Sequence, residues 1–215
     1  MNTSTLPALG TTAQVRIEID DDATPIVRLI GRTLRDADRL GHAPDVLRRA
    51  SGTVAVRSHA TPQAATVTFS DSAVTVTGGV FAPTDATVVV DLDDRLARTA
   101  SDGDPELADA MHRALQVPLP EWREAAARFW EITRGVPGVP DVLVAVATGP
   151  DGREEARFGS GPSTYRIVGT PDALAGLFTG TDFLLTALER GLCVQGSMAQ
   201  LSTMTAASWK ARYDV

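Results

Sequence analysis

Residues 164–180 read TYRIVGTPDALAGLFTG and place a strand-like run directly before a helix-like one. The first part, Thr164–Val168, is rich in the residue types that favour strands. The second part, Pro171–Thr179, begins with proline and is followed by Gly180, which are typical residues for a helix start and a helix end. The segment therefore predicts a protein that contains both strands and helices.

The rest of the C-terminal half continues this pattern on both sides. Pro150-Asp151-Gly152 is a turn sequence and predicts a hairpin between the two strands before it and after it. Trp122, Phe129 and Trp130 stand at helical spacing. The predicted elements are a helix from Glu121 to about Arg134, strands Val142–Thr148 and Arg153–Phe158, a helix Asp182–Arg190, a strand Leu192–Val194 and a terminal helix Met198–Arg212.

The N-terminal half has a similar order of elements. Ala13–Ile19 alternates apolar and polar residues, as a half-buried strand does. Thr24 and Pro25 are typical of a helix start, and Gly41 marks its end. Short β-rich runs then predict an antiparallel meander before a helix and a final extended pair of residues. These segments are Thr53–Ser58, Ala65–Phe69, Ala73–Thr77, Ala86–Leu92, Leu107–Leu115 and Gln116-Val117.

Pro118-Leu119-Pro120 interrupts both helix and central strand, so we place a domain boundary there. The predicted units are residues 1–23 as an N-terminal segment, 24–120 as a first domain and 121–215 as a second. Identities at one constant offset favour an internal duplication. They pair Gly103, Leu107, Ala110, Arg113, Leu115 and Val117 with Gly180, Leu184, Ala187, Arg190, Leu192 and Val194.

The quoted stretch, together with the continuation ALERGLCVQGSMAQL at 187–201, resembles the sterol-carrier-protein family of non-specific lipid-transfer domains. The resemblance covers residues 121–215 well and residues 24–120 more weakly. It implies an α+β fold of two sterol-carrier-like halves, each an antiparallel-rich curved sheet of about four to five strands covered by helices. The matching residues are apolar residues and glycines, so they specify fold more than chemistry.

Two departures from the family pattern bear on the fold. Pro118-Leu119-Pro120 stands where the family has a glycine and a terminal helix, so the first copy is expected to lack its own lid. The second half has one predicted strand fewer than the first. We therefore expect the strand Ala13–Ile19 to join the second sheet.

In the family, an apolar tunnel lies between the sheet and its helices. The resemblance implies that the matching residues here line a cavity for a hydrophobic small molecule, although the same side chains also suit a filled core. These candidate ligand-binding residues are Phe129, Trp130, Phe158, Ile167, Leu177, Phe178, Phe183, Leu184, Leu188, Met198, Leu201 and Met204. Trp209 is a candidate for closing one end of the cavity or for covering a homodimer interface.

Catalytic and metal-binding patterns are weak. His42, His59 and His112 are scattered and lack ligand spacing, so the sequence predicts no metal and no cofactor. We expect the acidic runs at residues 20–22 and 91–94 to precede helices. We expect Cys193 to be a buried, inert thiol in the closing strand, because its neighbours are apolar and no histidine is close in sequence.

Composition excludes several classes of protein. The formal net charge of −7 over 215 residues argues against a nucleic-acid-binding protein. The hydrophobic content of 43% favours a globular protein over a disordered one. No apolar run is long enough to cross a membrane, the start does not read as a signal peptide, and Cys193 is the only cysteine. We therefore expect a cytoplasmic protein without integral membrane association.

Three functions remain open at this point. The first is a carrier of a lipid, sterol-like or polyketide-like molecule. The second is an interaction or dimerisation module without a ligand. The third is a cofactor-free cyclase or isomerase that uses the same cavity, with Tyr165, Arg166, Glu189 or Arg190 as its polar groups.

Overall fold

A computed structural model describes residues 15–70, 73–150 and 152–213 and has the predicted α+β class. Its strands are β1 Arg16–Ile19, β2 Gly52–Ser58, β3 Ala64–Ser70, β4 Ala73–Gly78, β5 Ala86–Asp91, β6 Ala97–Gly103, β7 Val142–Gly149, β8 Gly152–Gly159, β9 Thr164–Gly169 and β10 Cys193–Gln195. Its helices are α1 Pro25–Arg39, α2 Pro44–Arg49, α3 Pro105–Leu115, α4 Trp122–Thr133, α5 Pro171–Phe178, α6 Leu184–Glu189 and α7 Met198–Tyr213.

The strands form two mixed sheets, one of six strands and one of four. The six-stranded sheet has the order β1-β4-β3-β2-β5-β6, and the four-stranded sheet has the order β10-β9-β7-β8. The meander prediction is confirmed for β2, β3 and β4, which pair antiparallel in sequence. It is wrong for β5, because this strand crosses over and pairs with β2 in parallel.

The two sheets share one arrangement of strands. In each, a hairpin is followed by a strand that lies parallel to the first strand of that hairpin, and a further antiparallel strand completes the edge. This order is β3-β2-β5-β6 in the first sheet and β8-β7-β9-β10 in the second. The correspondence extends over more of the chain than the sequence identities do.

The N-terminal strand does not join the second sheet, so that prediction is wrong. β1 pairs in parallel with β4 at the edge of the first sheet, with Ile17 opposite Val74. The side chains of Ile17 and Ile19 pack against the first core. Gly31 of α1 allows this approach, because a Cβ there would lie 2.5 Å from Cγ2 of Ile19. Residues 13 and 14 of the predicted strand lie outside the described residues.

Helix α1 forms as predicted because its apolar residues recur at helical spacing. Ile26, Leu29, Ile30 and Leu34 are buried against the first sheet. Its polar face carries the arginines that later form part of the candidate site. The acidic run at residues 20–22 precedes this helix as expected, and Asp20 accepts a hydrogen bond of 2.8 Å from the Gly78 amide.

The region after β5 departs from the prediction. The acidic residues there lead through a turn into strand β6 instead of a helix. The pair Gln116-Val117 is not a strand, because β6 already occupies that edge of the sheet. Instead, the Gln116 side-chain amide donates 3.2 Å hydrogen bonds to the carbonyls of Arg95 and Leu96. This contact holds the chain segment at 116–120 against the turn.

In the C-terminal half, the predicted helices and strands are all present with bounds shifted by at most two residues. The hairpin between β7 and β8 is confirmed by its antiparallel pairing, although Asp151 lies outside the described residues. The predicted strand Leu192–Val194 begins and ends one residue later.

Two large hydrophobic clusters make up the core. The first packs the six-stranded sheet against α1, α2 and α3, and the second packs the four-stranded sheet against α4 to α7. Tyr213 of α7 crosses between them and packs against the first cluster. Among the described helices, none combines the length and the apolar character that crossing a bilayer requires.

Candidate functional site

A cleft of about 370 Å³ lies between the two core clusters. We call it the seam cleft. Four segments form its walls: α1, the turn that follows β5, the chain at 115–120, and the residues that follow α5. Half of its lining residues are apolar, and the other half are polar or charged. The apolar residues are Leu29, Leu40, Leu92, Leu96, Leu115, Val117, Pro118, Leu119 and Pro120.

Arg95 joins the two sides of the seam cleft. Its guanidinium, from the turn after β5, contacts two carboxylates of the C-terminal half. Nε lies 2.9 Å from Oδ1 of Asp182, and Nη2 lies 2.7 Å from Oδ2 of the same residue. Nη1 and Nη2 lie 3.1 and 2.7 Å from the two oxygens of Asp172. We call these three residues the Arg95 ion-pair cluster.

The charges of this cluster stabilise each other. The hydrogen bonds that Arg95 donates to both aspartates raise the pKa of Arg95, and the hydrogen bond from Arg95 lowers the pKa of Asp172. Asp182 is buried, with only 7% of its surface exposed. Burying a carboxylate without a cationic partner costs free energy of folding, so the burial of Asp182 depends on its ion pair with Arg95.

The backbone at this turn is in an unusual conformation. Arg95 and Leu96 have φ values of 51° and 59°, so two successive residues with side chains adopt the left-handed region. Such a conformation costs about 1–2 kcal/mol for each residue and persists only when surrounding contacts hold it. Here the ion-pair cluster holds Arg95, and Gln116 bonds both carbonyls.

Gly176 makes room for the Arg95 ion-pair cluster. It lies inside α5, and a Cβ at this position would collide with Oδ2 of Asp182 and lie 2.9 Å from Nη2 of Arg95. A helix interior normally disfavours glycine by about 1 kcal/mol relative to alanine. The close approach of the ion pair explains why glycine occupies this site.

A second arginine crosses the seam in the opposite direction. Arg212 of α7 is buried, and its guanidinium donates to the carbonyls of Gly180 and Thr181 at 3.0 and 2.8 Å and to the Leu92 carbonyl at 2.6 Å. Arginines from both halves therefore hold the two halves together.

A second cleft of about 250 Å³ adjoins the seam cleft, and we call it the basic groove. It lies between α1, α4 and α7, and its apolar floor includes Ala125, Phe178 and Ala211. Arg32, Asp36, Arg39, Pro120 and Thr179 line both clefts.

The charged residues of the basic groove are mostly cationic. Among the described residues, five basic side chains and two carboxylates line it. The basic residues are Arg32, Arg35, Arg39, Arg128 and Lys210, and the acidic residues are Asp36 and Glu124.

The structure places the candidate ligand-binding residues of the C-terminal half mostly inside its core. Six belong to the second hydrophobic cluster: Phe129, Ile167, Leu177, Phe178, Leu184 and Met204. Four are half-buried and pack against that cluster: Trp130, Phe158, Leu188 and Leu201. Phe183 stacks on Trp209 with ring centroids 6.3 Å apart, and Met198 is separate from the others, with 79% of its surface exposed.

Tyr165 is a buried residue of that core with a polar group. Its side chain is 1% exposed, and its hydroxyl has no hydrogen-bond partner. Burial raises the pKa of Tyr165 to about 12. The other three polar candidates lie apart from it. Arg166 pairs with Glu155 at 2.8 Å, Arg190 reaches Asp94 at 3.2 Å, and Glu189 is exposed.

The remaining reactive side chains do not converge on a site. Cys193 is exposed, so the prediction of a buried thiol is wrong, because β10 is a short edge strand that turns this side chain outward. His42 contacts the Arg113 carbonyl at 2.7 Å, and burial lowers the pKa of His112. Within residues 15–70, 73–150 and 152–213, no group of three or more His, Cys, Asp or Glu side chains is arranged to hold a metal ion.

Sequence reasoning did not identify the seam. Arg95 and Asp182 are 87 positions apart, and each stands in a charged or polar context that is typical of exposed turns. A usable signal was the arginine stripe of α1, which is formed at helical spacing by Arg28, Arg32, Arg35 and Arg39. Comparison with known proteins adds no analogy, since no protein-family model, no curated protein and no solved structure matches the chain.

Proposed function

We propose that this protein binds a hydrophobic small molecule and that the seam cleft is its binding site. The supporting observation is a cleft of about 370 Å³ with nine apolar side chains in its lining, enclosed between two separately packed cores. Pockets for small organic molecules have volumes of roughly 300–1,000 Å³ and mainly apolar linings.

The apolar lining supplies the main driving force. The apolar lining residues come from α1, from the turn after β5 and from the segment 115–120. Removing apolar surface from water contributes about 25 cal/mol for each Å², so a ligand that touches these residues gains affinity by replacing water there. The polar lining residues then fix its orientation.

The walls of the seam cleft are fixed before any ligand arrives. The Arg95 ion-pair cluster joins the two sides, and Gln116 holds the segment that carries Pro118 and Pro120. Proline restricts the backbone further, because its ring fixes φ. A preformed site loses little conformational freedom on binding, which favours affinity.

The resemblance to sterol-carrier domains supports the same class of ligand at a different place. In this chain, Phe129, Phe178 and Leu184 pack in the core between the second sheet and its helices. The seam cleft contains open volume, whereas side chains fill the space between the second sheet and its helices. We therefore assign binding to the space between the halves.

The test uses the neutral fluorescent probe N-phenyl-1-naphthylamine with the full chain. We expect saturable binding at about one probe per chain. Val117→Trp inserts a large side chain from the 116–120 segment into the cleft and is expected to weaken binding about tenfold or more, because it occupies ligand volume. Leu185→Trp is the matched control, since Leu185 lies on α6 and is 46% exposed.

Either of two results would contradict the proposal. One is the absence of probe binding to the folded wild-type chain. The other is equal affinity in wild type and Val117→Trp when both have the same near-ultraviolet circular dichroism and melting temperature. Extraction of the purified protein with organic solvent, followed by mass spectrometry, would then identify any bound natural compound.

A further inference from the structure

We propose that the protein has a second binding site, which holds a small, free quaternary ammonium compound in a cleft beside the seam cleft. This cleft has a volume of about 170 Å³ and is lined by the start of α1, the loop at 58–63, the turn after β5 and α7. We call it the aromatic cleft. It shares Leu29 and Leu92 with the seam cleft, but the inference does not depend on the hydrophobic ligand, because other side chains bind the cation.

Three aromatic rings line the aromatic cleft, although aromatic residues make up only 5% of the chain. The ring centroids of Phe183 and Trp209 are 6.3 Å apart, and those of Trp209 and Tyr213 are also 6.3 Å apart. The planes of Trp209 and Tyr213 are inclined by 79°, so these two rings form a corner. Aromatic rings attract a cation that lies within about 6 Å of the ring centroid, and clusters of such rings recognise quaternary ammonium groups.

Trp209 is the ring that is most accessible to a ligand. It is 50% exposed, whereas Phe183 and Tyr213 are half-buried beside it. Tyr213 already interacts with one cation, because the Arg212 guanidinium lies 5.8 Å from its ring centroid. Trp209 and Tyr213 stand one turn apart on α7, and Phe183 directly precedes α6, so the helices fix all three rings before a ligand binds.

The charged residues of the aromatic cleft favour a cation. Of the described residues that line it, Asp91 and Asp93 are carboxylates and Arg212 is the single guanidinium. Arg212 is buried and is held by backbone carbonyls, including that of Leu92 at 2.6 Å. Nδ1 of His59 lies 3.9 Å from Oδ1 of Asp91 and adds positive charge only when the ring is protonated. The lining therefore has an excess of negative charge, which attracts a cation towards the rings.

The apolar lining favours a methylated ammonium over a primary one. Pro25, Ile26 and Leu29 contribute to the same cleft. An ammonium N–H group needs a hydrogen-bond acceptor where water is removed, whereas N-methyl groups pack on apolar side chains. The carboxylates of Asp91 and Asp93 also repel a phosphate attached beside the cation. The chemistry thus favours a free compound over a phosphocholine head group.

The experiment compares choline with 3,3-dimethylbutan-1-ol, a neutral molecule of the same shape in which carbon replaces the charged nitrogen. Each is titrated into the full chain, and saturation-transfer NMR follows its single methyl signal. We expect choline to bind about tenfold more tightly than the alcohol, because only choline gains the attraction of the rings and the carboxylates. Phosphocholine and ethanolamine should both bind more weakly than choline.

Two variants test the two halves of the argument. Trp209→Leu keeps an apolar side chain but removes the ring, so we expect choline to bind about tenfold more weakly and the alcohol to bind as before. Phe81→Leu is its matched control, because Phe81 is 94% exposed and lies outside the aromatic cleft. Asp93→Asn should weaken choline about threefold, whereas Asp94→Asn should not, since Asp94 pairs with Arg190 and is not part of the lining.

The outcomes separate this inference from the proposed function. Equal affinities for choline and the neutral alcohol would overturn the inference, as would unchanged choline binding in a folded Trp209→Leu protein. Tighter binding of phosphocholine, or sedimentation with phosphatidylcholine vesicles that depends on Trp209, would assign the cleft to a membrane head group and also overturn it. In each of these cases, saturable binding of the neutral naphthylamine would leave the seam cleft proposal standing. Selective loss of choline in Trp209→Leu and Asp93→Asn, with both controls unchanged, supports the inference.

Discussion

Arg95 and Asp182 form a two-point ion pair across the seam, with Nε–Oδ1 and Nη2–Oδ2 distances of 2.9 and 2.7 Å. The arginine belongs to the turn after β5, and the aspartate follows α5. This pair restrains the position of one half relative to the other. Because Asp182 is buried, its carboxylate also depends on Arg95 for charge compensation.

Replacement of the arginine tests this dependence. Arg95→Gln leaves the buried Asp182 carboxylate without its cation, and breaking such a pair typically costs about 3–5 kcal/mol. We expect a loss of about 2–4 kcal/mol in the free energy of unfolding, measured with urea, since Arg95 is partly exposed. Arg134→Gln removes an exposed pair and should change stability by less than about 1 kcal/mol. Equal effects of the two variants would contradict the role of Arg95.

Gly176→Ala tests the space around the same pair. Helix propensity alone favours alanine by about 1 kcal/mol, but the added Cβ collides with Oδ2 of Asp182. We therefore expect destabilisation by about 2 kcal/mol, seen as a lower melting temperature. Gly135→Ala is the control, because a Cβ at Gly135 meets nothing within 4 Å. A Gly176→Ala protein as stable as the control variant would show that Asp182 lies elsewhere.

The pH dependence of stability reports on Asp172. Arg95 lowers the pKa of this carboxyl below its ordinary value of 3.8. A lowered pKa in the folded state stabilises the protein above pH 3.8, and this contribution is lost as the pH falls through the folded value. Urea unfolding should therefore show wild type more stable than Asp172→Asn at neutral pH, by about 1 kcal/mol or less because the carboxyl is mostly exposed. The difference should shrink below pH 3.8. A constant difference would contradict the ion pair.

Tyr165→Phe tests the unpartnered hydroxyl of the second core. Burying a hydroxyl without a hydrogen bond is unfavourable, so its removal should leave stability unchanged or raise it by about 1 kcal/mol. Chemical denaturation measures this change. Because Tyr165 lies outside the seam cleft, binding of the naphthylamine probe should be unaffected. A loss of probe binding in a stable variant would relocate the ligand to the interior of the C-terminal half.

The elements with strong local patterns were predictable from the sequence. Ile26, Leu29 and Leu34 recur at helical spacing and define α1, since burial of one helix face needs that period. Strand β6 was missed for the opposite reason. Its residues are nearly all exposed and do not alternate, so pairing with β5 alone makes it a strand.

The seam cleft and the Arg95 ion-pair cluster were not predictable from the sequence, because they depend on long-range contacts that no local sequence pattern shows. Arg95 reads in sequence as part of an acidic turn, Asp93-Asp94-Arg95, and its partners follow more than 70 residues later. The direction of β5 and the placement of β1 are long-range as well, because a period of two fixes which face is buried and not which strand is adjacent. The arginine stripe of α1 was visible, while its position over the seam was not.

The reciprocal arginines have a consequence for how the molecule unfolds. Arg95 enters the C-terminal half, and Arg212 and Tyr213 return to the N-terminal half. Opening either hydrophobic cluster therefore breaks contacts that the other needs. Two such units do not melt independently, and calorimetry should record a single cooperative transition in which both sheets are lost together.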